Sequence, residues 1–259
     1  MKIQLYYVDA FADRLFAGNP AAVCPVDHWL PDAVMQSIAA EINLSETAFF
    51  TAVAGGMQIR WFTPACEVQL CGHATLAAAH VLFNHLDYRA SQISFQSVSG
   101  RLPVVRDGDR LTMDFPAQCP SACPLPTAIS VAFSSAPVAC LRADDYMVVC
   151  ADQVDVLSAQ PDISLLQQLD LRGVIITAPS CEHDFVSRFF APKLGIDEDP
   201  VTGSAHAQLA PYWAERLGRS TLRAKQLSAR GGVVDCEVVG SRVLISGGAV
   251  TFMQGEITI

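Results

Sequence analysis

CGHATLAAA at residues 71–79 and TGSAHAQLA at residues 202–210 fall into register when one half of the chain is slid along the other, with Gly72 and Gly203 131 residues apart. Three further matches keep the same order. RWFTP at 60–64 resembles RFFAP at 188–192, an offset of 128. SVSGRLPVVRDGDRLTM at 97–113 resembles SARGGVVDCEVVGSRVLI at 228–245, with Gly100 and Gly231 again 131 apart. Leu44 and Leu171, 127 apart, open the apolar runs ETAFFT and GVIIT. One short match is what chance gives between common strand and turn motifs. Four collinear matches at about half the length of a 259-residue chain read as a duplicated domain.

The local patterns fit that reading. Short Val/Ile/Phe-rich runs (VDAF, ETAFFTAV, QIRWF, RLTMDF, GVIITA, RVLISG) alternate with helical stretches, which predicts an α+β protein. PDAVMQSIAAEIN, residues 31–43, has proline near its start and Asn43 where a left-handed cap would end a helix. HATLAAAHVLFNHL, residues 73–86, is rich in alanine and leucine and starts a second helix close to Gly72. In the matching helix of the second half, Pro211 removes a backbone donor and predicts a kink or a late start. The expected architecture is two similar domains, each a twisted sheet around one prominent helix, spanning residues 1–117 and 118–250.

Bulk composition excludes several functions. The 26 acidic and 17 basic residues leave a net charge of −9, and no Lys/Arg run could follow a phosphate backbone, which argues against nucleic-acid binding. Hydrophobic residues make up 51%, but no apolar run reaches the length of a membrane span, and Asp9 and Asp13 interrupt the N-terminal stretch before a signal-peptide core could form. The sequence reads as that of a soluble, cytoplasmic protein. Nine scattered cysteines lack zinc-ligand spacing and read as reduced thiols.

Glycine at the start of a helix lets a ligand approach the backbone, where unpaired N–H groups and the positive end of the helix dipole favour an anion. Gly72 and Gly203 give the repeat one such terminus in each half, and two converging on a cleft would hold a small carboxylate. Positions where the halves differ mark specialised chemistry. Glu46 stands opposite Gly173; it is either a solvated glutamate at a strand start or a partly desolvated acid/base with a raised pKa. His73 stands opposite Ser204, and a histidine at a helix N-terminus stays neutral and can donate a hydrogen bond, or else serves in capping and packing. Asp199 either opens an Asp-Pro turn or orients a substrate amine or hydroxyl. Glu67, Asp197 and Glu198 read as solvated loop charges. His80 and His85, five residues apart, read as ordinary helix residues on different faces, with no metal site. Ser204 lacks a nucleophile elbow, and no Rossmann or phosphate-loop glycine pattern occurs.

DAFADRLFAGNPAAV (9–23), LSETAFF (44–50), FTPACEVQLCGHATLAAAH (62–80) and DEDPVTGSAHAQLAPYW (197–213), in this order, resemble the PhzF-like phenazine-biosynthesis isomerases over nearly the whole chain. The resemblance implies the diaminopimelate epimerase fold, two pseudo-symmetric α/β domains with the active site between them, and a last strand, about 251–259, that returns to the first domain. It also implies a homodimer that uses no cofactor or metal. It makes Glu46 the general acid/base that moves a proton on the substrate. His73, Asp199 and Ser204, with the backbone at Gly72 and Gly203, would bind and orient that substrate. The characterised phenazine enzyme isomerises a dihydro-hydroxyanthranilate by a proton shift. Cys71 occupies a place similar to the first catalytic thiol of diaminopimelate epimerases, but the equivalent residue of the second half is Thr202, so a two-thiol racemase lacks its partner. Cys71 and Thr202 then flank the substrate as small lining residues. The implied function is a cofactor-independent isomerase acting on a small carboxylate. The alternatives are an amino-acid epimerase or racemase, and a metabolite-binding protein without chemistry.

Overall fold

The computed structural model describes residues 1–133 and 136–259. The chain forms two compact units, Met1–Asp114 with Ser246–Ile259, and Phe115–Ile245. The first unit contains β1 (Lys2–Ala10), β2 (Asn19–Pro25), α1 (Asp32–Ile42), β3 (Glu46–Val53), β4 (Gly56–Phe62), β5 (Glu67–Val68), α2 (Gly72–His85), β6 (Gln92–Ser97) and β7 (Gly100–Asp107), and β8 (Arg110–Pro116) leads out of it. The second contains β9 (Ser121–Ala122), α3 (Thr127–Ala132), β10 (Ala139–Arg142), β11 (Tyr146–Val149), α4 (Gln153–Ser158), α5 (Ile163–Leu166), β12 (Val174–Pro179), β13 (Phe185–Ala191), β14 (Ile196–Asp199), α6 (Gly203–Leu217), β15 (Thr221–Gln226) and β16 (Gly232–Val239). After β17 (Arg242–Gly247), β18 (Ala249–Thr258) pairs antiparallel with β1.

The repeat is visible in the strand pairings. In the first unit β1–β2 is antiparallel, β2–β3 parallel, β3–β4 antiparallel, β4–β6 parallel and β6–β7 antiparallel. In the second, β10–β11, β11–β12, β12–β13, β13–β15 and β15–β16 follow the same alternation. Each unit also adds one short antiparallel strand, β5 or β14, just before its long helix. The expected α+β architecture is thus present in both halves.

Side-chain alternation explains how each sheet buries two faces. Ala22 and Cys24 of β2 join Met35, Ile38 and Ala39 of α1, with Phe49 and Phe62, in one cluster. Ala21 and Val23 point the opposite way and are also fully buried, and α2 packs against β1, β2, β3 and β18. An unbroken run from His73 to Ala79 is buried in α2, which is why this helix is apolar nearly all round rather than amphipathic. α1 ends as its sequence predicts, with Asn43 in the left-handed region at φ 55° and its N–H bonded to Ala39 O.

The Arg-x-Phe core of the repeat is a folding device. Arg60 donates from Nε and Nη2 to the Glu67 carboxylate at 2.6 Å each, and Arg188 does the same to Glu198 at 2.6 and 2.9 Å. Each guanidinium also lies over the phenylalanine two residues on, 5.2 Å from the Phe62 ring and 5.0 Å from the Phe190 ring. Glu67 and Glu198 are therefore paired carboxylates and not the solvated loop charges expected from the sequence, because the pairing arginine lies on the neighbouring strand.

Three local expectations meet different outcomes. α6 runs unbroken from Gly203 through Pro211 to Leu217, without a late start. The carbonyl that Pro211 leaves without its helical donor, Ala207 O, accepts instead from the Gln118 N–H at 2.9 Å. His80 and His85 converge: their Nε2 atoms lie 2.9 and 2.8 Å from the same Thr251 hydroxyl. The last turn of α2 closes with a bond from Leu86 N–H to Val81 O, five residues back, a wider turn than the 3.6-residue repeat that puts residues five apart on different faces. Nine thiols are free.

Gly18, at φ +70°, closes the loop that delivers the start of β2. A Cβ there would lie 2.2 Å from the Ala10 carbonyl oxygen, so no other residue fits. Gly18→Ala is expected to destabilise the protein by about 2 kcal/mol through backbone strain and overlap, measured as a lower urea midpoint at unchanged m-value. An unchanged midpoint would show that the loop can relax.

Candidate active site

The first unit brings four polar side chains together at the start of α2. Cys71 precedes the helix in an extended conformation (φ −142°, ψ 111°) without a capping side chain, and Thr75 Oγ1 donates to its carbonyl at 2.6 Å. His73, one residue into the helix, is 5% exposed. Its Nδ1 lies 3.2 Å from Asn19 Nδ2 and 3.5 Å from Cys71 Sγ, and its Nε2 lies 3.2 Å from Glu46 Oε2. Glu46 opens β3 beside Ala21 of β2, and its side chain is only 12% exposed. Of the two sequence readings of this glutamate, the solvated one is thus ruled out. Burial pushes the His73 pKa down to about 3, so the ring is neutral at pH 7.

One donor atom each from Glu46, Cys71 and His73 lies within 4.8 Å of the others, an O, N and S set of the kind that transition metals accept. Both ring nitrogens of His73 already face protein groups, so an ion would have to displace one of those contacts.

The second unit repeats this design with different side chains. Thr202 precedes α6 in a similar extended conformation (φ −111°, ψ 96°), and His206, four residues on like Thr75, places Nδ1 2.8 Å from its carbonyl. The His206 pKa is lowered to about 4 by burial, so Nδ1 carries the single proton and donates to that carbonyl. Asp199 closes β14 and is 7% exposed, accepting from the Thr202 hydroxyl at 2.5 Å. Gln226 of β15 locks the turn: its amide donates to Asp199 O at 2.7 Å and its carbonyl accepts from Thr202 N–H at 2.9 Å. Asp199 is therefore a held, buried acceptor. Gly72 and Gly203 are each the first helical residue and neither has a positive φ, so backbone conformation does not demand glycine at either place.

Ser204 Oγ accepts from Arg172 Nη2 at 3.1 Å. Arg172 is held in turn by both oxygens of Asp145, at 2.9 and 2.7 Å, and Asp145 is 1% exposed. Gln208 of α6 clamps the Asp145 backbone, accepting from its N–H at 3.3 Å and donating to its carbonyl at 3.0 Å. Arg172→Met leaves the Asp145 carboxylate buried without its cation. The expected cost is about 2 kcal/mol, below the usual ~3–5 kcal/mol for a broken buried pair because the arginine side chain is 37% exposed. Adding Asp145→Asn should recover part of the loss, and a cycle in which the two changes simply add would refute the coupling.

The structure also gives Gly173 a packing role. A Cβ there would meet the Phe189 ring and the Phe190 carbonyl oxygen, both at 2.7 Å. The Glu46/Gly173 difference between the halves thus reflects a crowded backbone in one unit as well as an acid in the other. Sequence reasoning missed Asn19, Asp145, Arg172 and Gln226. Asn19 precedes a proline and reads as a turn opener, although it begins a strand; the other three carry no sequence signal, because their partners are 24 or more residues away.

Comparison with known proteins agrees with this architecture. A family model described as phenazine biosynthesis-like protein matches residues 8–255. An uncharacterized isomerase of Pseudomonas aeruginosa is 51% identical over 257 residues, 99% of each chain. The crystal structure of a PhzF-family phenazine biosynthesis protein from Enterococcus faecalis superposes with a TM-score of 0.98 at 47% identity, covering both chains completely. A hydroxyproline epimerase from Agrobacterium vitis shares the fold alone, with a TM-score of 0.61 at 11% identity over 99% of this chain and 92% of that one. Among the described residues no helix is long and apolar enough to cross a membrane. The chain belongs to the phenazine biosynthesis-like PhzF family and is an isomerase-type enzyme with an epimerase-like fold.

Proposed function

We propose that the protein is a cofactor-independent isomerase that moves a proton on a small carboxylate, with Glu46 as general acid/base. The observation that carries this reading is the carboxylate of Glu46, 12% exposed, 3.2 Å from a buried and neutral histidine. A shielded carboxylate can take a proton from a carbon and return it elsewhere, and a neutral imidazole can support it without pairing with it as a cation. In the second unit Asp199 accepts from, and Ser204 donates to, polar groups of the substrate, and the N–H groups at Gly72 and Gly203 receive anionic oxygen. Cys71 and Thr202 line the substrate. The reading includes the homodimer and the cytoplasmic location expected from the sequence.

Two other readings give different outcomes in one experiment. The protein is incubated in deuterated water with ring carboxylates, dihydroaromatic acids and amino acids, and C–H loss is followed by NMR. An isomerase exchanges a hydrogen and shifts a double bond, an epimerase exchanges the α-hydrogen with inversion, and a binding protein only raises the melting temperature. Thermal stabilisation by a carboxylate with no exchange in any of them would overturn the proposal.

A further inference from the structure

The Glu46–His73 contact leaves a question of hydrogen placement that the surrounding side chains answer. His73 is neutral, so its ring carries one proton shared between two nitrogens that face different groups. Nε2 faces Glu46 at 3.2 Å, and an ionised carboxylate can only accept. Nδ1 faces the Asn19 amide nitrogen at 3.2 Å and the Cys71 sulfur at 3.5 Å, both of which can donate. With the proton on Nδ1, Nε2 would present a lone pair to a carboxylate inside the protein, where unscreened repulsion is most costly. With the proton on Nε2, all three contacts are attractive. Asn19 and His73 are 0% and 5% exposed, so water cannot substitute for either donor.

We propose that Asn19 is a positioning residue that, with the Cys71 thiol, fixes His73 as the Nε2–H tautomer, so that the ring keeps an N–H, and not a lone pair, toward the Glu46 carboxylate 3.2 Å away. Its functional meaning rests on the reading of Glu46 as the acid/base. The ring then acts as a fixed dipole whose positive end stabilises the ionised carboxylate, and it weakens that support once Glu46 has taken a proton, which helps return the proton to substrate. Cys71 has the role of a thiol donor to nitrogen and not of a thiolate base. This assigns a use to the sulfur that remains in the first half although the second half carries Thr202. Asn19 opens β2 directly after Gly18, whose φ of +70° closes the preceding loop.

The test reads the ring nitrogens directly and needs no substrate, so it stands or falls apart from the proposed reaction. Protein labelled with 15N-histidine is examined by long-range proton–nitrogen correlation between pH 5.5 and 8, with the His73 signals identified by their loss in His73→Asn. The expected result is a protonated Nε2 and an unprotonated, hydrogen-bonded Nδ1 throughout. An Nδ1–H ring or an imidazolium in the wild-type protein would overturn the proposal. Asn19→Asp places an acceptor against Nδ1 and should move the proton to that nitrogen or charge the ring; a folded Asn19→Asp protein that keeps the wild-type nitrogen shifts would also overturn it. If Asn19→Asp does not fold, the pair Asn19→Ala and Cys71→Ala removes both donors. The Nδ1 signal should then move toward the position of a nitrogen without a hydrogen bond, and no movement refutes the assignment.

Discussion

Glu46→Gln is expected to slow proton exchange on the substrate by about a hundredfold or more, the usual contribution of a positioned acid/base. The change keeps shape and keeps an amide oxygen that can accept from His73 Nε2, so the fold and the unfolding midpoint should hardly move. Loss of rate without loss of stability is the signature that separates chemistry from packing. The comparison is made on whichever carboxylate exchanges a hydrogen in deuterated water, with kcat and KM measured separately. A loss confined to kcat assigns Glu46 to the transition state, whereas a rise in KM alone would make it a binding residue. Turnover at the wild-type rate would remove Glu46 from the mechanism.

The parts of this molecule that sequence makes legible are those set by local periodicity and by duplication. Four collinear matches at offsets of 127 to 131 residues anticipate a pairing alternation that is repeated strand by strand in both units. Asn43 as a helix stop and the helix beginning at Gly72 follow from backbone preferences that act within a few residues. The candidate site is only half legible. Glu46, Cys71 and His73 fall together, and Asp199, Thr202 and Ser204 fall together, because each set sits at one end of a repeated helix. The groups that tune them come from distant strands and cannot be found by spacing. Asn19 reaches His73 across 54 residues, and Gln226 reaches Thr202 across 24. Where local rules fail, a tertiary partner has replaced a local one: Gln118 supplies the hydrogen bond that Pro211 removes, and Arg188 neutralises a glutamate that reads as exposed.

Lowering the pH from 7 to about 5 should cost the protein several kcal/mol of stability, before most carboxylates begin to titrate. Burial holds His73 at about 3 and His80 and His206 at about 4, against 6.5 for an ordinary histidine. A nearby His85 and Arg106 add to the depression at His80, whereas the carbonyl of Thr202 opposes it at His206. Between the folded and unfolded values the unfolded chain binds protons that the folded chain does not, so stability rises with pH in that window. The contribution is complete above pH 6.5 and is lost as the pH falls toward 4. Each histidine adds a slope of up to about 1.4 kcal/mol per pH unit. Urea midpoints at half-unit steps of pH measure the sum, and His206→Gln should remove about one proton's share of the slope. A flat profile between pH 6.5 and 5 would mean that the buried rings gain protons without unfolding. In that case His73 would stand opposite Glu46 as a cation, and the neutral donor on which the proposed proton transfer depends would be lost.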